Sequence, residues 1–299
     1  MYPVYKSIGV KQQCKEIKVS FPPQHQESQP GLEYIMKPRP ISSNPYYCES
    51  DKLQRKVAII TGGDSGIGRA VAYAFAKEGS DIAISYLCED RDADETKYVI
   101  EKLGRRCILI RGDLKEEKMS KVVVEKTIEC FGKIDILVNN HGVQFIQNSI
   151  LDITAEQLDT TFKTNIYSYF YMTKAVLPYL KEGASIINTT SVTAYEGHPL
   201  LIDYSATKGA VMTFTRSLSQ SLVSKGIRVN GVAPGPIWTP LIVSSFSAEQ
   251  VETFGNDTPM NRAGQPFEVA TSFVFLASDD SSYMSGQILH PNGGTISGS

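Results

Sequence analysis

From Lys56 onward the chain alternates short apolar runs with helix-length amphipathic stretches, and few folds accept that order of elements. The apolar runs fall at 57–61 (VAIIT), 81–87 (DIAISYL), 106–114 (RCILIRGDL), 134–140 (IDILVNN), 184–191 (ASIINTTS) and 227–235 (IRVNGVAPG). Helical stretches separate them at 66–79, 93–104, 118–132, 154–182 and 203–225. Apolar strands joined by helical crossovers pair in parallel and are covered on both sides. The expected architecture is one α/β domain over 55–299, a doubly wound parallel sheet with helices on both faces. A content of 41% hydrophobic residues over 299 positions supplies the core such a domain needs.

Residues 1–54 depart from that pattern. They hold about half of the prolines and the aromatics Tyr2, Tyr5, Phe21, Tyr34, Tyr46 and Tyr47, with little periodicity, so they cannot build a core of their own. The reading is an irregular arm in which at least 21–40 (FPPQHQESQPGLEYIMKPRP) lies over a neighbouring surface. A formal net charge of −2, with both signs mixed along the chain, argues against nucleic-acid or anionic-membrane binding by bulk charge. No apolar run is long enough to span a membrane, and the N-terminus lacks the features of a signal peptide, so a cytoplasmic protein is expected. Cys14, Cys48, Cys88, Cys107 and Cys130 are widely spaced without a C-x-x-C pair, which reads as free thiols and no metal site.

TGGDSGIG (61–68) follows the first strand and opens the first helix. In that context Gly62 permits the tight turn, Gly66 lets the backbone approach a pyrophosphate and Gly68 lets helix and strand pack closely. The helix N-terminus then offers N–H groups to phosphates. The spacing G-x-x-x-G-x-G is one residue longer than the G-x-G-x-x-G form, and a purely structural glycine turn stays open. Tyr204 and Lys208, in DYSATKGAV, share one helix face at i and i+4. An ammonium beside a phenol favours the phenolate, which would make Tyr204 an acid or base near neutral pH. A surface tyrosine above a solvated lysine is the plain alternative.

TGGDSGIG, NNHG (139–142), Ser191, and Tyr204 with Lys208 occur in the order and spacing of the short-chain dehydrogenase/reductase family, which the chain resembles over roughly 54–296. PPQHQ, QPG, YEG, SQSLV and PGPIWTPL resemble its subgroup of general stress proteins and glucose/ribitol dehydrogenase homologues. The resemblance implies a Rossmann-type, NAD(P)-dependent oxidoreductase acting on a small aldehyde, ketone or polyol, and a homotetramer. It also implies the roles of Tyr204 as general acid/base, Lys208 as its modulator and ribose ligand, Ser191 as substrate hydrogen-bond partner and Asn165 as holder of a relay water. A hydride transfer leaves an alkoxide that needs a proton donor and a second donor to hold it, so these roles agree with the chemistry.

The coenzyme contacts implied are Asp64, Ser65 and Ile67 with the three glycines, Tyr86 and Leu87 at the second strand end, Asp113 and Leu114, Asn140 and Gly142, and Pro234, Gly235, Ile237 and Thr239. Tyr86 and Leu87 are neither acid nor base where the 2′ group is read, while Glu89 and Asp90 follow closely, which favours NAD over NADP with dual use open. Substrate-lining positions are Ser191, Thr193, His141, Gln144, Gly197 and Trp238. His141 stands where the family usually has alanine. It is read as a packed ring, a polar pocket lining or a partial obstruction, and it keeps a retired redox sensor as the rival function. An epimerase-like extended relative is disfavoured by the glycine spacing. The stretch 273–294 is expected to supply a strand and an interface, and the arm to reach a neighbouring subunit.

Overall fold

The computed structural model describes residues 20–297, preceded by the backbone of two short antiparallel strands at Lys11–Gln12 and Glu16–Ile17. The other residues before Ser20, with Tyr2, Tyr5 and Cys14 among them, and 298–299 lie outside the described residues.

Seven strands form one sheet: β1 (Val57–Thr61), β2 (Asp81–Tyr86), β3 (Cys107–Arg111), β4 (Ile136–Asn139), β5 (Ser185–Thr189), β6 (Arg228–Val232) and β7 (Ile288–Leu289). They lie in the order β3-β2-β1-β4-β5-β6-β7, and every pairing is parallel. Residues of β1 and β5 are buried at every position, which is why their apolar runs show no alternation. In register, Ile59 sits between Ala83 and Leu137.

Helices cover both faces. On one, α1 (Gly66–Lys77) packs against α10 (Pro266–Ala277) through Val71, Phe75, Phe273 and Leu276, with α2 (Asp90–Lys102) beside them. On the other, α3 (Glu117–Phe131) meets α5 (Ser168–Val176) through Val123, Val124, Met172 and Val176. The long helical stretch predicted at 154–182 begins as α4 (Ala155–Phe162), widens into a π-helical turn at Lys163–Tyr167 and continues as α5. Short helices α6 (Thr193–Glu196), α8 (Pro240–Val243) and α9 (Ala248–Glu252) flank the sheet's C-terminal edge, and α7 (Ile202–Leu222) carries the Tyr204 motif.

The stretch 273–294 divides differently from expectation. Its first residues complete α10, whose buried Val269, Ala270, Phe273, Val274 and Ala277 follow helical spacing, and only Ile288–Leu289 join the sheet. A capping box between Gln265 and Glu268, with Pro266 at the first position, starts that helix.

Residues 20–41 do lie over a surface, and it is the chain's own. Phe21 stacks on Trp238 with centroids 3.8 Å apart and planes 7° from parallel, in a cluster with Met36, Ile242, Val243 and Val251. Further on, Glu78 at the end of α1 accepts from the Ser50 and Lys52 amides and the Tyr47 hydroxyl, and Leu53 is fully buried in the main core. Strand order reverses between β1 and β4, so a crevice opens beyond their C-terminal ends, the place where sheets of this kind bind ligands.

Candidate active site

Loops leaving β1, β4, β5 and β6 converge on one cleft of about 940 Å³, near the upper end of small-molecule sites. At one end lies the glycine loop. Gly62 has φ +63° and Gly66 φ +52°, values that favour glycine. A Cβ on Gly68 would stand 1.9 Å from the Gly62 carbonyl oxygen, so Gly68 serves the close packing read from the sequence; of the three glycines assigned to the coenzyme, it alone does not line the cleft. The Gly66 amide donates to Glu33 Oε2 of the arm at 2.6 Å, so one of the amides expected to face phosphate is engaged by a carboxylate. Arg69 ties the same region together. Its Nε donates to the Asp64 carbonyl (2.9 Å), Nη1 to Glu33 Oε1 (2.7 Å) and Nη2 to Asp92 Oδ1 (3.1 Å). Glu33, Arg69 and Asp92 are all at most 2% exposed.

Along the cleft, Ser65, Ile67, Tyr86, Leu87, Asp113 and Leu114 line the β1–β2–β3 side. Buried Asp64 and Glu89 join them there. Burial, and then the Glu89 charge, push the Asp64 carboxyl up to about 7, and burial likewise raises Glu89. On the other side Pro234, Gly235, Ile237 and Thr239 line the wall after β6. A Cβ on Gly142 would come within 3.2 Å of Asn165 Oδ1 and 3.6 Å of Lys208 Nζ, and one on Gly66 within 3.2 Å of Thr239 Cγ2. Bare glycine backbone therefore clears a path from the loop after β1 to Lys208, a shape that fits an extended dinucleotide.

Tyr204, Lys208 and Ser191 meet at the far end. Ser191 and Tyr204 line the same end of the cleft, and the Thr193 amide and hydroxyl donate to Ser191 Oγ at 3.2 and 3.1 Å. Lys208 Nζ donates to the Thr189 carbonyl (2.9 Å) and lies 5.6 Å from the centre of the Tyr204 ring. The sequence reading had the lysine lowering the phenol; here the balance runs the other way. Burial pushes the Tyr204 phenol up to about 12, against the pull of Ser191, and brings the Lys208 ammonium down to about 7. Both groups are desolvated, and loss of water is the leading cause of each shift.

Asn165 is fully buried behind the wall. Its Oδ1 accepts from the Val143 amide (2.8 Å), and its Nδ2 donates to the Val143 carbonyl (2.8 Å) and Thr207 Oγ1 (3.2 Å). The π-helical turn at 163–167 holds it there. Asn140 steadies the next loop by donating to the Thr61 and Gly62 carbonyls at 3.2 and 3.3 Å.

His141 bridges two elements. His141 Nε2 lies 2.8 Å from Ser168 Oγ, which donates to the Thr164 carbonyl, and Nδ1 lies 2.7 Å from Thr61 Oγ1. Burial and the nearby Lys208 charge pull the imidazole down to about 3, so it is neutral at ordinary pH. The packed-ring reading describes it best, although its edge also lines the cleft with Gln144 and Gly197. Trp238 is a correction. Predicted to line the substrate pocket, it is fully buried, stacked on Phe21, with Nε1 donating to the Pro38 carbonyl at 2.9 Å. A large indole there found a better partner in the arm than in the cleft. Arm residues Gln29, Pro30 and Gly31, the QPG of the subgroup resemblance to which no site role was assigned, line the cleft instead. Beyond that resemblance, their sequence signal was the Pro-Gly punctuation between anchoring aromatics.

A doubly wound sheet whose glycine loop and Tyr-Lys-Ser cluster open onto the same cleft defines a nicotinamide-dinucleotide oxidoreductase. Similarity to known proteins narrows this further. A family model described as enoyl-(acyl carrier protein) reductase matches residues 62–295. General stress protein 39 of Bacillus subtilis is 59% identical over 92% of this chain and 96% of its own. Glucose and ribitol dehydrogenase of Daucus carota is 54% identical (92% and 97% covered), and the chloroplastic NADPH-dependent aldehyde reductase 1 of Arabidopsis thaliana 51% (91% and 97%). A Burkholderia cenocepacia short-chain dehydrogenase crystallised with NADP superposes with a TM-score of 0.77 at 31% identity, covering 81% of this chain and 98% of that one. The chain belongs to the short-chain dehydrogenase/reductase family and is an NAD(P)-dependent oxidoreductase acting on CH–OH and C=O groups.

Proposed function

We propose that the protein interconverts a small alcohol and its aldehyde or ketone, with Tyr204 as the general acid/base. The observation that carries this reading is the convergence of Ser191, Tyr204 and Lys208 in the cleft the glycine loop opens, with Lys208 Nζ buried 5.6 Å from the centre of the Tyr204 ring. A bound nicotinamide supplies or accepts the hydride. Ser191 holds the substrate oxygen, and Tyr204 delivers or removes the proton at that oxygen. Lys208 orients the ribose and favours charge on the phenolate as it forms, while Asn165 keeps Val143 and the loop behind it in register. Asn165 also orders the relay water in this proposal.

The dinucleotide would lie along Gly62–Ile67, Asp113, Asn140, Gly142 and Thr239. NAD is the proposed coenzyme, supported by the buried carboxylates Asp64 and Glu89 beside Tyr86 and Leu87, since an acid there binds a ribose 2′-hydroxyl and repels a 2′-phosphate. Two comparison proteins, one named as NADPH-dependent and one crystallised with NADP, stand on the other side. Names of relatives that act on aldehydes, glucose and ribitol support a small aldehyde or polyol as substrate. Gln144, Thr193 and Gly197 would line its site. A cytoplasmic homotetramer completes the reading; exposed Leu158, Tyr167 and Phe170 along α4 and α5 support association. Among the described residues no helix is long and apolar enough to cross a membrane.

The test is initial rates with NADH and NADPH over a panel of aldehydes, ketones and sugars, for the parent and Tyr204→Phe. General acid catalysis predicts that the variant loses at least about 100-fold in kcat. Coenzyme binding without turnover by either protein would replace this reading with the redox-sensor one.

A further inference from the structure

One wall of the cleft comes from the arm. The Gln29 side-chain amide pairs in both directions with the backbone of Gln144: its Nε2 donates to the Gln144 carbonyl at 2.6 Å, and the Gln144 amide donates back to Oε1 at 3.3 Å. Gln144 adjoins Val143, which Asn165 holds next to Lys208, so this contact sits toward the Tyr204 end of the cleft. Two residues on, the arm touches the opposite bank. Gly31 approaches Pro240 so closely that a Cβ would stand 2.5 Å from the proline carbonyl oxygen. Before Gln29, the Gln26 amide donates to the Val243 carbonyl at 2.7 Å, and His25 Nδ1 lies 2.8 Å from the Phe246 carbonyl. One short stretch thus joins the loop after β4 to the segment after β6.

That second segment lines the cleft through Leu241, Ile242, Phe246 and Phe254. Here it is fastened at both ends, by the Phe21–Trp238 stack and by the Phe21 amide donating to Glu252 O at 3.2 Å. It cannot swing outward unless the arm leaves. Gln29 and Gln144 are uncharged, so the strap sorts by size and not by charge.

We propose that Gln29 is a specificity-determining residue: it straps the two banks of the cleft together and restricts the carbonyl or alcohol partner to small molecules. The inference rests on the oxidoreductase reading above, since it names which substrates that site admits. A short aldehyde reaches Ser191 and Tyr204 without meeting the strap. A bulky aryl ketone must break the Gln29–Gln144 pairing to do so.

Two variants test this in the full-length protein. Gln29→Ala removes the pairing, and Gln29→Glu keeps the size and the acceptor for the Gln144 amide while losing the donor. The ratio of kcat/KM for a bulky aryl ketone to that for propanal is expected to rise at least tenfold in Gln29→Ala, with a smaller rise in Gln29→Glu. Emission of Trp238, the single tryptophan, checks that the arm stays docked; should the alanine variant undock it, the glutamate variant alone decides. An unchanged ratio overturns the proposal. Amide hydrogen exchange at Gln144 supplies a readout independent of turnover. If the parent reduces neither carbonyl, the small-carbonyl reading of this site fails, and exchange then decides the strap: acceleration in Gln29→Ala keeps it, and no change overturns it.

Discussion

Lys208 shows how burial alone can set the behaviour of a site. Its ammonium is brought from an ordinary value near 10.5 down to about 7, and desolvation is the cause. In the unfolded chain the lysine keeps its proton up to the ordinary value. Between about 7 and 10.5 the unfolded state therefore binds more protons, and stability rises with pH across that window. Below about 7 the folded protein must bury a charge, and that contribution is at its least favourable. Lys208→Met removes the effect. The stability of the parent relative to the variant, from urea unfolding, should increase from pH 7 to pH 9; a difference independent of pH would show that Lys208 is hydrated in the folded protein. At this scale the sequence was a good guide to identity and a poor one to electrostatics. The pairing of Tyr204 with Lys208 was legible from spacing and Ser191 from the family resemblance, yet the direction of the tyrosine shift was not, because spacing carries no information about how much water each group loses.

At the scale of elements, α1 does more than open a phosphate loop. Arg69, one turn into the helix, links the glycine loop at Asp64, the arm at Glu33 and the start of α2 at Asp92, all out of water. Removing one partner from such a group leaves uncompensated buried charge, so Arg69→Met should cost roughly 3–5 kcal/mol in urea unfolding. A loss below about 1 kcal/mol would mean that water reaches the carboxylates and that the group behaves as a surface ion pair. The strands and the long helices were readable to within a few residues because their apolar periods are local. The π-helical turn at 163–167 and the burial of Glu33 against α1 were not, since each depends on a partner that is distant in sequence.

For the whole molecule, the arm is the feature with the widest reach. It covers the segment after β6, supplies a wall of the cleft and shields Trp238, which is fully buried under Phe21. Burying a phenylalanine side chain contributes about 1.5–3 kcal/mol, and an aromatic pair adds about 0.5–1.5 kcal/mol more. Truncation before Ser42 should therefore lower the thermal midpoint, shift Trp238 emission to longer wavelength and open it to acrylamide. Unchanged emission would mean that the stack does not hold in solution. The assembly mass of the same truncation reports whether the arm also reaches a neighbouring subunit: a lower mass shows that it does, and an unchanged mass confines its work to its own chain. The amino-acid sequence by itself determined the doubly wound class, the glycine loop and the shared helix face of Tyr204 and Lys208, because strand and helix periods and i, i+4 spacing are properties of neighbouring residues; Ser191 entered through the family resemblance. Only the tertiary structure decided that Trp238 faces the arm and not the cleft, that Glu33 occupies the Gly66 amide, and that Gln29 spans the cleft to Gln144, since these contacts join positions between 33 and 217 residues apart. Which distant surfaces meet is set by packing of the finished sheet and helices, and no local pattern in the chain encodes it.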